Sequence, residues 1–202
     1  MDAVTKAIMD QLSSSGVAEI GKAIGASKKK TSSALTTVLP LLVTGLAGNA
    51  SKPAGAASLF DAVVKDHDGS ILDDIIGFLG NPSKVDGAGI LGHVLGQKQP
   101  KVEEGIAQKT GLNVSQIALL LQIAAPLVMA YLGKKQRKDK LGADDLASLL
   151  GDQLAADKEE SGLLDLFGTV LDADKDGSAV DELMGMMGVM LTGGAKPKKK
   201  KG

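Results

Sequence analysis

A shift of 86 positions lays one part of this chain on another without a gap. VAEIGKAIGASKKKTSSALTTVLPLLVTGLAG, residues 17–48, runs alongside EEGIAQKTGLNVSQIALLLQIAAPLVMAYLG, residues 103–133. Ile20 falls on Ile106, Gly25 on Gly111, Leu35 on Leu121, Pro40 on Pro126, Leu41 on Leu127 and Leu46 on Leu132. Upstream, Val4 and Ile8 meet Ile90 and Val94. Downstream, at a spacing of 87, GAASLFDAVV (55–64) resembles GADDLASLLG (142–151). Self-similarity at a nearly constant spacing is the signature of a repeated architecture, and it obliges both segments to suit the same local structure.

The register continues past these segments with a jump. KDHDGSILDDIIGFLG (65–80) matches DKDGSAVDELMGMMG (174–188) around Asp-Gly-Ser at a spacing of 108, which implies an insertion near residues 152–173. This reads as a duplication, with a first helical unit at 1–80 and a second at 86–192. GNPSKVDGAG joins them, with Asn-Pro and Gly punctuation. Residues 193–202 form a lysine-rich tail whose composition predicts disorder.

Periodicity predicts helices throughout. Val4, Ile8 and Leu12 share one helical face, as do Ile90, Leu91, Val94 and Leu95 in the second unit. Gly25 and Gly111 suit left-handed helix stops. Asn113, with Gln116 three residues on, suits a capping box for the apolar body IALLLQIAAPLVMAYL. Pro40 and Pro126 are expected to kink their helices. No alternating Val/Ile/Thr run argues for a strand, so the predicted fold is all-α and multihelical, with two repeated units.

Composition narrows the chemistry. With no Cys, disulfides, thiolate zinc sites and cysteine nucleophiles are excluded. Trp is absent, and Tyr131, Phe60, Phe78 and Phe167 are the only aromatic side chains, so the core falls to Leu, Ile, Val, Ala and Met. The formal net charge is −1, yet without the five tail lysines 18 basic residues face 24 acidic ones. An acidic body is a poor polyanion binder. The N-terminus has no secretion-signal pattern, and a cytoplasmic location is expected. Residues 114–133 approach membrane-span length and are followed by Lys134, Lys135, Arg137 and Lys138. Ser115, Gln116, Gln122 and Pro126 interrupt that run, and its counterpart contains Thr36, Thr37 and Thr44, so two buried central helices are predicted and no membrane span.

EEGIAQKTGLNVSQI (103–117) has the order of a helix-turn-helix, but the helix that would read DNA is too apolar for that task. In the first unit the same helix opens with Lys28, Lys29 and Lys30, which could meet phosphates.

The stretch 90–136 resembles the bacterial YidB-like family, whose function is unknown. The resemblance is carried by Ile90-Leu91-Gly92-His93, by the Thr110-Gly111-Leu112 turn, by Ala125 to Met129 and by Leu132-Gly133. It implies an all-helical, homeodomain-like fold, and it implies no activity and no site residues.

The acidic loops are the best site candidates. With Asp172 at position 1 of a calcium loop, Asp174 and Asp176 take positions 3 and 5, Gly177 takes 6 and Ser178 takes 7. Leu183 stands where a bidentate Glu belongs, so Asp181 and Glu182 would have to close a shorter site. The first unit offers the weaker set Asp66, Asp68, Ser70, Asp73 and Asp74. Helix capping is the competing reading: Ser178 with Asp181 and Ser70 with Asp73 are spaced as capping boxes. His67 and His93, the only histidines, share no repeat position and read as structural. GAGILG (87–92) follows no strand and does not read as a nucleotide turn. The Met184, Met186, Met187 and Met190 cluster reads as core. The expected function is therefore a non-catalytic structural or interaction module, with calcium bracing its acidic loop, that meets a protein partner or itself. The alternative is a nucleoid-type DNA binder using Lys28 to Lys30 and the lysine tail.

Overall fold

A computed structural model describes residues 3–80 and 86–157. Among these residues every regular element is helical. The order is α1 (Ala3–Ile24), α2 (Lys28–Ala50), α3 (Pro53–Asp66), a 3₁₀ turn at Ser70–Leu72, and α4 (Ile75–Gly80). Then follow α5 (Gly87–Val94), a second 3₁₀ turn at Gly96–Lys98, α6 (Gln99–Thr110), α7 (Val114–Asp139) and α8 (Ala143–Asp157).

The two proline-containing helices are the centre of the molecule. Their apolar residues go all the way round, and such a helix is stable only when covered on every side. Leu35 and the run Thr37 to Val43 in α2 are buried, as are Leu120, Leu121 and the run Ile123 to Ala130 in α7. Both helices continue through their prolines. Each is long and apolar enough to cross a membrane, and 72% and 61% of their apolar windows, respectively, are buried inside the protein. The remaining helices wrap this pair. α1 packs on α2 and α7, α5 and α6 pack on α7, and α8 packs on α2 and α3. Buried residues from Val4 to Leu150 form a single cluster, so both segments of the sequence repeat feed one core. Each fully buried Leu or Ile contributes roughly 1.5–3 kcal/mol to that core.

Local chemistry sets the helix ends. Ile24 is followed by Gly25 at φ 68°, with Ala26 N–H donating to Gly21 O (2.8 Å) and Gly25 N–H to Lys22 O (3.2 Å), the two bonds of a Schellman stop. Gly111, at φ 67°, ends α6 with the simpler single bond to Ala107 O (2.9 Å). Ser27 accepts Lys30 N–H at the start of α2 (3.4 Å). Asn113 and Gln116 form the full reciprocal box at the start of α7 (2.8 and 3.1 Å). Helices α2 and α7 thus begin 86 residues apart, each three residues after its turn glycine.

The two turns also hold each other. Gln116 Nε2 donates to Gly25 O (2.8 Å), and Lys30 Nζ donates to Gly111 O (3.3 Å). Lys30 and Gln116 occupy the same repeat position, and so do Gly25 and Gly111, so the exchange is reciprocal.

Helix α1 is interrupted once, at Ser13 (φ 54°, ψ 177°). That region is nearly restricted to glycine and costs another residue about 1–3 kcal/mol. On either side of the break Val4, Ile8 and Leu12, then Val17, Ile20 and Ile24, are buried.

Candidate functional site

The lysines that open α2 are exposed. Lys28 Nζ bonds Ser14 Oγ, and Lys30 is spent on the Gly111 turn. The helix is buried almost continuously from Ala34 onward, so only its first turn offers a basic surface.

The acidic loop of the first unit is described in full, and its carboxylates do not converge. Asp68 Oδ1 accepts from Ser70 N–H (2.9 Å) and Ser70 Oγ–H (2.6 Å), bonds that hold its carboxyl below the usual range. Asp73 pairs with Lys134 of α7 (2.6 Å). Asp74 accepts Gly77 N–H (2.9 Å) and caps α4. The Ser70–Asp73 capping box does not form. Gly69, at φ 89°, stands at the head of a 3₁₀ turn instead, and Asp74 caps the helix that follows. Among the described residues no three His, Asp or Glu side chains gather as a cation site would require. Asp172, Asp174, Asp176, Ser178, Asp181 and Glu182, the methionine cluster and the lysine tail lie outside the described residues.

The feature that sequence reasoning missed is a cleft of about 1000 Å³ between α3 and α5. Close helix contacts define its shape. At one end Asn49 Nδ2 donates to His93 O (2.7 Å), and a Cβ on Gly45 would meet Val94, so α5 ends on the last turns of α2. Helix α3 starts three residues after α2 stops. The other ends of α3 and α5 both rest on α7, at different heights. Gly87 lies against Gln122 O, and Gly133 lies against His67 O. Each approach is so tight that a Cβ on the glycine would fall at 2.2 and 1.8 Å from those oxygens. Eleven residues of α7 separate the two contacts, about 16 Å at 1.5 Å per residue. Helices α3 and α5 therefore come together near the end of α2 and stand apart where they reach α7, and the cleft lies between them.

Leu46 and Met129 contribute buried side chains to its lining. The α3 wall presents Ser58, Leu59, Ala62 and Asp66; the α5 wall presents Asp86, Ile90, His93 and Val94. Both histidines thus meet in one cleft despite their unrelated repeat positions. His93 is exposed, with Nδ1 at 2.8 Å from Gly89 O. His67 caps the C-terminal end of α3, is 9% exposed, and its ring makes no hydrogen bond among the described residues. Burial lowers its pKa below the ordinary histidine value, against the pull of Asp66 and Asp68. The ring is therefore neutral at pH 7. Its carbonyl is held by Arg137 Nη1 (3.5 Å), which fixes the end of α3 on α7.

The repeat register sharpens the site. Val4 and Ile8 are 1% and 0% exposed, whereas their counterparts Ile90 and Val94 are half-buried and line the cleft. At the head of α1, Gln153 Oε1 from α8 accepts the N–H groups of Ala3 (2.9 Å) and Val4 (3.4 Å). At the head of α5 the cap is local: Asp86 Oδ1 accepts Gly89 N–H (2.7 Å).

A helical bundle with an open cleft, and among the described residues without a cluster of metal-ligating side chains, defines a class by architecture only. Residues 6–135, well over half of the chain, match the family described as bacterial protein of unknown function (DUF937), and the chain belongs to that family. This agrees with the YidB-like resemblance of residues 90–136. Among curated proteins and among solved structures, nothing matches the chain.

Proposed function

We propose that this protein is a non-catalytic interaction module whose working surface is the cleft between α3 and α5. The observation that supports this reading is the unequal burial of matched positions. A pattern of apolar residues that is sealed at Val4 and Ile8 is left open at Ile90 and Val94. Exposed apolar surface bordered by charged groups is characteristic of a binding site. Here the bordering charges are Lys52, Lys65, Asp66 and Asp86.

A photo-crosslinking residue at Ser58, an exposed cleft position, tests the reading in cells. The expected result is a discrete adduct that disappears when Ala62→Trp fills the cleft, with no such adduct from the same group at exposed Lys101 on α6. A diffuse smear from both positions, or no adduct from Ser58, overturns it.

The calcium reading rests on Asp172 to Glu182. Melting in calcium against chelator decides it: an unchanged midpoint together with a silent Asp174→Ala removes it.

A further inference from the structure

We propose that residues 176–188 of this chain dock across the C-terminal half of α2 and the start of α6, on the face that matches the one residues 68–80 cover on α7 and α1. The occupant is therefore the chain itself, and the inference does not depend on the cleft.

The earlier segment shows what such a seat requires. Gly69 rests on α7, where a Cβ on it would stand 2.9 Å from Lys134 Cβ and 3.1 Å from Ala130 O. Asp73 pairs with Lys134 (2.6 Å). Ile75 then lies on α1, its Cγ2 at 3.7 Å from where a Cβ on Gly16 would be. Leu72, Ile75 and Phe78 are the buried anchors, while Ile76 is 67% exposed.

At a spacing of 108 the later segment repeats these features. Asp68, Gly69, Ser70, Asp73, Gly77 and Gly80 recur as Asp176, Gly177, Ser178, Asp181, Gly185 and Gly188. The anchors recur as Val180, Leu183 and Met186. Leu183 is the residue that stands where a calcium loop needs a bidentate Glu. Calcium ligation has no use for leucine there, whereas a docked segment gains from burying one.

The matching face is open. A shift of 86 carries Ala130 and Lys134 onto Thr44 and Gly48 of α2. Ala130 is buried, but Thr44 and Gly48 are half-buried, and among the described residues nothing lies within 4 Å of where a Cβ on Gly48 would stand. Helix α6 packs beside α2 as α1 packs beside α7, so the face is continuous. Charge distinguishes it from its counterpart. Val102, in the place of Gly16, is already buried, so α6 contributes its rim, Lys98 and Lys101. Both are exposed and without an ion pair among the described residues, and their matches in α1 are the uncharged Leu12 and Ser15. Asp181 and Glu182 beside Leu183 bring the complementary charge. Reach is not limiting. The 20 residues from Asp157 to Gly177 span up to about 65 Å when extended. Helix α7, with 26 residues, is about 39 Å long.

The chain has no Cys, so an introduced pair is unambiguous. Gly48→Cys with Asp181→Cys, in the full chain and in chelator, is treated with a short bis-maleimide, and the product is read by peptide mass mapping. A link within one chain is expected, because the matching pair, Lys134 with Asp73, is in direct contact. The control pairs Asp181→Cys with Lys22→Cys, since Lys22 is exposed and precedes the start of α2, which lies about 30 Å from Gly48. The Gly48 pair should link at least about tenfold more than the control, as docking raises the effective concentration of one partner only. Leu183→Asp should lower the Gly48 link about tenfold or more, since an anchor loses its burial and gains a desolvation cost. Met184→Asp, whose match Ile76 is exposed, should leave it within about twofold. Circular dichroism checks that each variant remains folded. No link, equal linking of both cysteine pairs, or a loss in Met184→Asp as large as in Leu183→Asp overturns the inference. A link between two chains overturns it in favour of a second copy. A link that forms only when calcium replaces the chelator overturns it in favour of a metal-held loop.

Discussion

Helices α1 and α5 carry apolar residues at matching positions, Val4 with Ile90 and Ile8 with Val94, and end differently. In α1, Val4, Ile8 and Leu12 vanish into the core, and the head of the helix is tied to α8 through Gln153. In α5, Leu91 is buried while Ile90 and Val94 face a cleft, and the head is capped by its own Asp86. Periodicity decides which face of a helix is apolar. What covers that face is decided by neighbours far away in sequence, and here the neighbours differ. The wall opposite α5 is α3, and α3 is pinned away from it by its own contacts with α7: the Gly133 approach, the Arg137 bonds to His67 O and Val64 O (both 3.5 Å), and the Lys134–Asp73 pair.

The strongest way to break this comparison is at Gly133. Its counterpart in the first unit is Ala47, which carries a methyl group and is buried. At Gly133 the same methyl would sit on a backbone oxygen, so α3 must move. Gly133→Ala should cost about 3 kcal/mol, the upper part of the range for overpacking, measured by urea denaturation. A cost below about 0.5 kcal/mol, the range of neutral substitutions, would show that this contact does not place α3.

A smaller effect of opposite sign is expected at the break inside α1, compared with the end of α5. The second unit places Gly96 there at φ 53°, while the first places Ser13 at φ 54°. Glycine adopts such angles without steric cost. Ser13→Gly should stabilise the protein by about 1 kcal/mol, the low end of the strain estimate. Destabilisation would mean that the Ser13–Ser15 hydroxyl contact (2.9 Å) outweighs the strain.

The smallest effect is a pH slope. Burial keeps the folded-state pKa of His67 below its ordinary value. As pH falls through about 6.5 the unfolded chain takes up a proton there before the folded chain does, so stability is lost from that pH downward until the folded value is passed. The helix that covers α1 is α8, which has Gln153 near the matching position and no histidine. His67→Phe should flatten the slope between pH 6.5 and 5 in thermal melts. An unchanged slope would assign it elsewhere.

Much of the frame was legible in the residues. Gly25 and Gly111 had to end helices because few residues other than glycine accept their backbone angles, and Asn113 with Gln116 announced a cap that forms as expected. The all-round apolar character of α2 and α7 put them at the centre. The cleft was not legible, because it depends on the angle between α3 and α5, and that angle follows from backbone approaches at Gly87 and Gly133. The two histidines looked unrelated because no local pattern links positions 67 and 93. The weaker acidic loop shows the same dependence on distant neighbours: Asp73 pairs with Lys134 across 61 residues of sequence.

The reciprocal hold between the Gly25 and Gly111 turns has a consequence for synthesis. Helix α2 is apolar on every side, and α7, which packs against it and whose head secures the turn before it, is encoded 86 residues later. At bacterial translation rates of about 5–20 residues per second, roughly 4–17 s pass between the emergence of the two. Throughout that interval the nascent chain carries a finished helix with much of its apolar surface uncovered. A chain stopped at the linker would remain in that state, so the first unit is expected to need either the second unit or a chaperone in its place.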